Sequence, residues 1–546
     1  SKPEFTEDKN NSSKERDSRK TGSKRNKNGG KGGRRSDKGF KYGDTLPTLG
    51  KCNSPQINSP EDYFFDKNLA QQVTDISFTE YAGTTVERRG ALGAGIQDQR
   101  NPYLATYYLS PAVGYAPLDS TFPTAVNLAA QSLYTDLSAN NAKTTNYAPQ
   151  DLTMLVFALA ELCAIASHMQ RGFGLYKYYS VRNRAVPKYV MEGLGYDYDD
   201  LMQNFANYRV EYNAMMVNAS KIPIPANIKL IEQSTKRYSG LYMDMQSDMA
   251  QFYAFVPYWT WVLDEESNPQ GTQLTTKNVI INPGNKKTMR HYLDVFKEML
   301  DALLNSSTLN TIYADIIRCS EKEGLRLMPF NTIGDEFEIV PKYDPEIRLW
   351  VNNLVITGTP MSTPHDTATH TKLNNVLPVV NTNRVFYAPQ FTLRTQELAM
   401  DQILNFDFDT PKSGDIIEAT RLKVAVGSYI YDEHKGKLYS DTMTLGHLYC
   451  VACSIFYPIV EAPYVAHSTI DQDSYLTTDE YLFNWIGMYS KFDWSPIIPV
   501  YKPSTSTPDK SEYVDSLVDL NHWTYVPFKW LKALNDIIFM GLLELR

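Results

Sequence analysis

The side chains best suited to chemistry in this 546-residue sequence include a pair of cysteines close to a histidine. Cys450-x-x-Cys453, with His447 three residues before it, has the spacing of half a metal site or of a redox pair. No second pair at ligand spacing completes a set of four, and the surrounding residues are apolar. In a strand the two thiols would face opposite sides, so we predict buried structural thiols.

Two further histidines suggest metal binding on a loop. His365 and His370, with Asp366 between them, lie in a stretch rich in Thr and Pro. No third group at a fixed spacing accompanies them, and a metal site also needs outer groups that orient its ligands. We therefore interpret Thr357–Thr371 as an exposed polar loop at the tip of a domain.

The acidic residues form small groups that suit helix capping better than catalysis. Asp197, Asp199 and Asp200 precede a predicted helix, where carboxylates accept hydrogen bonds from free backbone N–H groups. Asp407 and Asp409 form a second group. A hydrolase or transferase built on these acids or on the loop histidines is the enzymatic alternative. The absence of a recognisable nucleophile or complete metal set speaks against it.

Nucleotide-binding motifs are missing from the sequence. Gly90, Gly93 and Gly95 have the spacing G-x-x-G-x-G, which is not the dinucleotide fingerprint, and no Lys-Ser/Thr pair follows to make a phosphate loop. Gly334-Asp335-Glu336 falls short of the paired aspartates of a two-metal polymerase. The sequence therefore predicts a protein that is not an enzyme and needs no cofactor.

The strongest signal in the composition is the distribution of charge. The net charge is −8, but residues 1–41 carry +8 and the remaining 505 residues carry −16. Almost no residue of this first segment could build a core, so we predict a disordered basic arm over residues 1–45. Its densest part holds eight cations and no acid: Arg19, Lys20, Lys24, Arg25, Lys27, Lys31, Arg34 and Arg35.

Flexible basic segments bind nucleic acids because their cations release the counterions condensed on the phosphates, without reading the base sequence. We therefore predict that these eight residues contact RNA or DNA. A nuclear-localisation patch and a solubilising tail are the alternatives for the same composition. The acidic remainder of the chain excludes a uniformly basic nucleic-acid-binding domain.

The predicted secondary structure that must position these residues differs between two regions of the chain. Residues 60–235 are chiefly helical in character, and residues 335–470 alternate short β-prone segments with loops. The most clearly predicted helix is Asp151–Gln170, and Gly172 and Gly174 are expected to end it. The predicted helices are Asp151–Gln170, Asp199–Ala219, Met289–Leu304 and Phe528–Leu545. The predicted β-prone segments are Arg384–Leu393, Leu422–Tyr431 and Leu448–Val460.

Apolar stretches and cysteine usage limit the cellular compartment. The longest apolar stretch, Leu152–Ala166, is about 15 residues long, whereas a bilayer takes about 20, so we predict a core helix rather than a membrane span. The N-terminus has no apolar segment of the secretory type. Five cysteines in 546 residues favour a reducing compartment.

Short motifs run in a fixed order through residues 150–425. They are Asn183-Arg184-x-x-Pro187-Lys188, Gly195-x-Asp197-x-Asp199-Asp200-Leu201, Ala250-Gln251-Phe252-Tyr253-Ala254-Phe255, Ala314-Asp315-Ile316-Ile317-Arg318, Val340-Pro341-x-Tyr343 and Glu418-Ala419-Thr420-Arg421-Leu422. This set resembles the capsid protein of picobirnaviruses, which have segmented double-stranded RNA genomes. The sequence departs from the family pattern at Gly193 and Cys319. The motifs place loops and helix starts, so the resemblance implies no catalytic residue.

The resemblance implies an α+β fold with three folded parts. These are a predominantly α-helical shell domain at residues 46–335, a smaller β-containing projecting domain at 336–470, and a C-terminal segment at 471–546 that returns to the shell or the dimer interface. Symmetric dimers, one per asymmetric unit of an icosahedral shell, would give about 120 copies.

The resemblance also implies partners and a location. The protein would reside in the virion, assembled in the host cytoplasm, with viral or non-specific RNA inside. A host membrane or receptor is a candidate partner of the projecting domain. The alternative function is a non-viral RNA-binding adaptor protein with a basic disordered tail.

Overall fold

The computed structural model divides the chain into two units, residues 1–79 and residues 80–546. In the first unit, α1 (Lys67–Val73) begins where the Asp66 carboxylate accepts hydrogen bonds from two backbone N–H groups. The residues that the structure describes are 66–76, 88–89, 96–97, 104–117, 124–139, 146–182, 187–247, 250–265, 271–280, 282–323, 326–360, 374–379, 382–389, 391, 402–426, 429–432, 437–440, 443–458, 465–470, 488–489, 492–494, 496, 498–503, 511–517 and 520–545.

The second unit combines long helices with short strands. Its helices are α2 (Ala125–Ala139), α3 (Pro149–Arg182), α4 (Pro187–Gly193), α5 (Tyr198–Ala219), α6 (Lys229–Arg237), α7 (Met289–Asn305), α8 (Ser307–Glu323), α9 (Pro345–Asn352), α10 (Ser413–Ala419) and α11 (Phe528–Leu542). The helices predicted at 199–219 and 289–304 are confirmed to within one residue, and the predicted C-terminal helix ends at Leu542.

The strands are mostly short. They are β1 (Arg88–Arg89), β2 (Ile96–Gln97), β3 (Leu104–Pro111), β4 (Tyr242–Met243), β5 (Phe252–Pro257), β6 (Trp259–Asp264), β7 (Gln273–Asn278), β8 (Lys342–Tyr343), β9 (Leu377–Val379), β10 (Arg384–Phe386), β11 (Gln402–Phe406), β12 (Val424–Val426), β13 (Tyr429–Asp432), β14 (Lys437–Ser440), β15 (Met443–Leu445), β16 (Leu448–Pro458), β17 (Val465–Ile470), β18 (Ile498–Pro503), β19 (Ser511–Leu517) and β20 (His522–Val526). The mixed α+β class is thus confirmed.

One sheet, in the strand order β17-β16-β3-β5-β4-β8, organises the second unit. Strand β3 lies inside it, antiparallel to β16 and parallel to β5. All eight residues of β3 are buried. Leu104 and Tyr108 enter the larger core with the long helices, whereas Tyr107 and Leu109 enter a second core with Trp350. A sheet covered on both faces needs apolar residues at successive positions, which is what β5 and β16 contain.

Helix α3 is the centre of the larger core and packs against α2, α6, α7 and β6. The part Pro149–Tyr179 is long and apolar enough to cross a membrane by composition, and its most apolar window is wholly buried inside the protein. This burial agrees with the predicted core helix.

The prediction that Gly172 and Gly174 end this helix is wrong, because α3 continues to Arg182. A Cβ atom on Gly172 would lie 2.9 Å from Cε1 of Tyr196, and one on Gly174 would lie 2.6 Å from Cγ1 of Ile339. These glycines therefore admit close neighbours inside a helix. The packing outweighs a helix-propensity cost of about 1 kcal/mol for each glycine.

The three predicted β-prone segments contain strands β10, β12 with β13, and β16. Strands β16 and β17 come from the predicted projecting domain, yet they lie in the same sheet as β3 and β5 of the predicted shell domain. Residues 80–546 form one compact unit. The domain boundaries at 335 and 470 stay a prediction.

Candidate functional site

The Cys450–Cys453 pair lies in β16, where a bulge changes the faces of its side chains. Cys450 is paired with Leu109 of β3 and Cys453 with Tyr107, and the register shifts between Cys450 and Ala452. The extra residue brings both thiols into the same buried cluster. The expectation that they face opposite sides is therefore wrong, since it assumed an unbroken alternation.

Both thiols are buried and protonated. Burial raises the pKa of Cys453 to about 12 and that of Cys450 well above its usual value. The Tyr489 hydroxyl donates to Sγ of Cys453 at 3.5 Å, and neither cysteine forms a disulfide. Redox exchange and metal binding both need the thiolate, so this environment supports the interpretation as structural thiols.

His447 is buried beside two arginines rather than in a metal site. Burial lowers its pKa well below the usual value, and the nearby charges of Arg421 and Arg237 lower it further. Neither of its ring nitrogens has a hydrogen-bond partner among the described residues. Among the described residues, the side chains close enough to share a metal ion are three carboxylates, so that group contains neither a cysteine nor a histidine.

A buried ion pair joins two helices near this histidine. Arg237 of α6 and Glu161 of α3 form the pair, with side chains 1% and 4% exposed. Burial acts to lower the pKa of Arg237, and the Glu161 charge reverses this, so that the pKa is raised. The Thr260 hydroxyl donates to the second carboxylate oxygen at 3.1 Å. The pair therefore fixes α6 on α3.

A second buried arginine joins α3 to the central sheet. Arg171 donates to the Phe255 carbonyl oxygen at 2.7 Å, to Nδ1 of His168 at 2.9 Å and to the Tyr196 hydroxyl at 3.3 Å. Arginine can only donate, so Nδ1 of His168 accepts and the imidazole proton lies on Nε2. Burial, followed by the Arg171 charge, lowers the pKa of His168 well below its usual value. This network is internal, so we assign it a structural role.

Three carboxylates, those of Glu192, Asp197 and Asp199, come close enough together to hold a metal ion. Lys286 Nζ lies 2.8 Å from Glu192, and Lys188 Nζ lies 2.6 Å from Asp199. Two ammonium groups thus already offset most of the negative charge of these three carboxylates, which supports helix capping over metal binding.

The turn before α5 explains the family motif that contains these acids. Gly195 has φ = +90°, in the left-handed region, and a Cβ atom there would lie 2.4 Å from Cδ1 of Ile280. Two residues later the Asp197 carboxylate accepts a hydrogen bond from the Asp200 N–H at 3.2 Å and caps α5. The predicted capping role of Asp197 is confirmed.

Of the remaining acidic candidates, Asp407 and Asp335 form ion pairs with arginines, and Asp409 lies at the surface. Asp407 Oδ2 lies 3.0 Å from Arg348 Nη1. Asp335 is exposed and pairs with Arg209, which lowers the pKa of Asp335. Asp409 is exposed. The structure brings none of these described carboxylates into a two-metal arrangement.

Several sequence-predicted candidates lie outside the described residues, so the predictions made for them stay predictions. They are the arm residues Arg19, Lys20, Lys24, Arg25, Lys27, Lys31, Arg34 and Arg35, the loop residues His365, Asp366 and His370, and the glycines Gly90, Gly93 and Gly95.

The C-terminal residues expose large apolar side chains. Trp530, Ile537 and Met540 of α11 are 69%, 63% and 43% exposed, and Trp523 and Tyr525 of β20 are 44% and 56% exposed. The prediction of a helix at Phe528–Leu545 did not include this exposed apolar face. The available signal was the seven-residue interval between Trp530 and Ile537, which places both on one helix face.

The side-chain clusters of the described residues are buried hydrogen-bond and ion-pair networks and an exposed apolar surface. None of these clusters has the arrangement of a catalytic centre. The model of the family described as picobirnavirus capsid protein matches residues 63–447, more than half of the chain. The chain belongs to the picobirnavirus capsid protein family. This capsid protein is therefore a structural component of a virion, and the alternative of a non-viral adaptor loses its support.

Two further comparisons agree with the family. The capsid protein precursor of human picobirnavirus (strain Human/Thailand/Hy005102/-) is 24% identical over 311 residues, which are 54% of this capsid protein and 55% of the precursor. The match thus spans about half of the length of that relative. The X-ray crystallographic structure of the picobirnavirus capsid matches with a TM-score of 0.69 at 20% identity, over 89% of this chain and 98% of that chain. The two chains share a fold.

Proposed function

We propose that this capsid protein assembles in the host cytoplasm, through symmetric dimers, into an icosahedral shell of about 120 copies. We further propose that its basic arm, residues 1–45, holds RNA inside the shell. The observation that carries this proposal is the division of charge, with +8 in residues 1–41 and −16 in the remaining 505. An acidic wall repels RNA, so the affinity for RNA is confined to the arm. Because phosphates are contacted without base readout, the cargo is viral or non-specific RNA.

Deletion of residues 1–41 tests the arm. We expect particles of normal sedimentation that lack RNA, measured by the ratio of absorbance at 260 and 280 nm. A truncated protein that encapsidates RNA at the wild-type level in physiological salt would show that the arm is not the RNA-binding element.

Charge can be separated from arm length with two full-length variants. Replacing the eight cations between Arg19 and Arg35 by Gln should remove RNA as the deletion does. Exchanging Lys for Arg and Arg for Lys at the same positions keeps the charge, and should keep the RNA. If the exchange variant also loses RNA, specific side chains rather than net charge bind the cargo.

We also propose that residues 336–470 form the projecting domain and contact a host membrane or receptor, with the shell at 46–335 and the C-terminal segment, 471–546, at the shell or dimer interface. Thr357 is buried and donates to the Cys450 carbonyl oxygen at 3.0 Å, so the prediction that the loop Thr357–Thr371 is exposed is wrong at its start. The polar composition of the rest of this loop supports its placement at the tip. A peptide epitope inserted after Pro364 should be accessible to antibody on intact particles. Recognition only after particles are denatured would contradict an outer position.

A further inference from the structure

Four buried polar side chains from segments far apart in the sequence lie in one region of the interior. Arg237 ends α6, Arg421 follows α10, His447 joins β15 to β16, and Asn535 lies in α11. The exposed fraction of each is 7% or less. The charges of both arginines act on the His447 ring. A Cβ atom on Gly446 would lie 3.2 Å from the Arg421 carbonyl oxygen and 3.8 Å from Oδ1 of Asn535, so these segments are in close contact.

The charges of this group cancel. Arg237 pairs with Glu161, and Arg421 donates from Nε and Nη2 to the two carboxylate oxygens of Glu418 at 3.1 and 2.8 Å. Burial, followed by the two arginine charges, holds the pKa of His447 well below its usual value, so the ring is neutral at pH 7. Two cations and two carboxylates therefore leave no net charge.

Five polar atoms of the group have no hydrogen-bond partner among the described residues. They are Nε of Arg237, Nη1 of Arg421, Oδ1 of Asn535 and both ring nitrogens of His447. The other amide atom of Asn535 is used, since Nδ2 donates to the Thr444 hydroxyl at 2.8 Å. Native proteins provide a partner for nearly every buried polar atom, so five such atoms in one region indicate a bound ligand.

The chemistry of these atoms selects the class of ligand. The arginine atoms can only donate, the amide oxygen can only accept, and a neutral imidazole has one donor and one acceptor. An ion bound here would add a buried charge that no other charge of the group balances, at a large cost in free energy. Water is neutral, donates and accepts, and typically makes about three hydrogen bonds when it is buried in a protein.

We propose that these four side chains form a binding site for ordered internal water. The water accepts from the arginine N–H groups and donates to Oδ1 of Asn535 and to the unprotonated ring nitrogen of His447. The site thus joins the end of α6 and the β15–β16 connection to α11 by water-mediated hydrogen bonds. It lies within one copy of the chain, so it does not depend on the proposed assembly.

Crystals of the full-length wild-type protein, grown with sodium bromide as the only halide, test the identity of the ligand. We expect electron density for water within about 2.7–3.2 Å of at least two of the five atoms, without an anomalous signal at the bromine absorption edge. A bromide peak at this position would show an anion site and overturn the proposal. Density for a side chain of the same chain, or no density, would overturn it as well.

A double-mutant cycle tests whether the water links two of the side chains. His447→Leu and Asn535→Leu each remove part of the same hydrogen-bond network, although the two residues share no direct hydrogen bond in the structure. The double variant should therefore lower the folding equilibrium constant about tenfold less than the product of the two single effects. Urea unfolding of the full-length variants measures these constants.

Asn213→Leu is the matched control, because both amide atoms of Asn213 bond directly to the backbone of Ile333. Combined with His447→Leu, it should multiply the single effects. Multiplied effects for the Asn535 pair as well, or equal coupling in the control pair, would show that no water links His447 to Asn535 and would contradict the proposal. If a leucine variant does not fold, the density in the wild-type crystals decides.

Discussion

Buried charge is handled residue by residue in this protein. The Arg237 charge is neutralised by Glu161, whereas Arg171 donates to the Phe255 carbonyl and to a neutral imidazole, that of His168. A charge taken out of water costs several kcal/mol unless partners replace the solvent. Each of these residues therefore depends on neighbours contributed by another element.

The Glu161–Arg237 pair allows a first prediction. Glu161→Leu or Arg237→Met alone leaves one buried charge without its partner, and each should lower the free energy of unfolding by about 3–5 kcal/mol. The double variant removes both charges and should be less destabilised than the sum of the two. Urea unfolding of the three variants measures this coupling. Strict additivity would mean that the two side chains do not stabilise each other.

The two buried histidines predict acid sensitivity. Burial lowers the pKa of His168 and His447 in the fold, whereas an unfolded histidine titrates near pH 6.5. Their contribution to stability is therefore complete above about pH 6.5 and is lost as the pH falls below it, because the unfolded chain takes up protons that the fold does not bind. Each histidine should cost about 1.4 kcal/mol per pH unit below that point.

The variant His447→Gln isolates one of these contributions. It should flatten the loss of thermal stability between pH 6 and pH 5. Comparison with wild type at each pH removes the effect of Asp244, whose pKa is raised to about 6 by burial and which titrates in the same window. An unchanged slope for His447→Gln would show that this ring is protonated in the fold.

Among the elements, α3 shows how packing overrides local preference. Its apolar composition supports a helix, and its two glycines favour an end, yet the helix runs on to Arg182. Neighbouring side chains from distant parts of the chain occupy the space above Gly172 and Gly174. The element is therefore defined by what packs against it as much as by its own residues.

This packing predicts that alanine substitutions at two helical glycines, Gly174 and Gly414, have opposite effects on stability. Gly174→Ala should destabilise the protein by about 1–3 kcal/mol, because the new methyl group overlaps Ile339. Gly414→Ala in α10, where nothing lies within 4 Å of the added Cβ, should be neutral or stabilise by up to about 1 kcal/mol. Thermal unfolding of both variants gives the comparison. A stabilising Gly174→Ala would show that Ile339 moves aside without cost.

At the scale of the whole molecule, the charge is divided between a basic arm and an acidic remainder. If all eight arm cations contact single-stranded RNA, the logarithm of the binding constant should fall with the logarithm of salt concentration with a slope of about −5 to −6. Fluorescence anisotropy with a labelled oligoribonucleotide measures this slope for the full-length chain. The chain lacking residues 1–41 should bind too weakly to give a slope, and tight salt-dependent binding by it would place the RNA site elsewhere.

The sequence by itself determined the features that depend on neighbours along the chain. The charge division is a sum over residues, and helices α5 and α7 follow from apolar side chains at helical spacing. The N-cap of α5 follows from Asp197 at its start. The order of the motifs was sufficient to indicate the family. All of these signals are local, so they are readable before folding.

Only the tertiary structure decided the rest. The bulge that puts Cys450 and Cys453 on one face depends on pairing with β3, more than 300 residues away in sequence. The continuation of α3 through Gly174 depends on Ile339, and the neutral state of His447 depends on its burial beside Arg421. Likewise, which face of α11 stays exposed depends on which face packs against the core. These properties arise from contacts between distant residues, and no local pattern contains them.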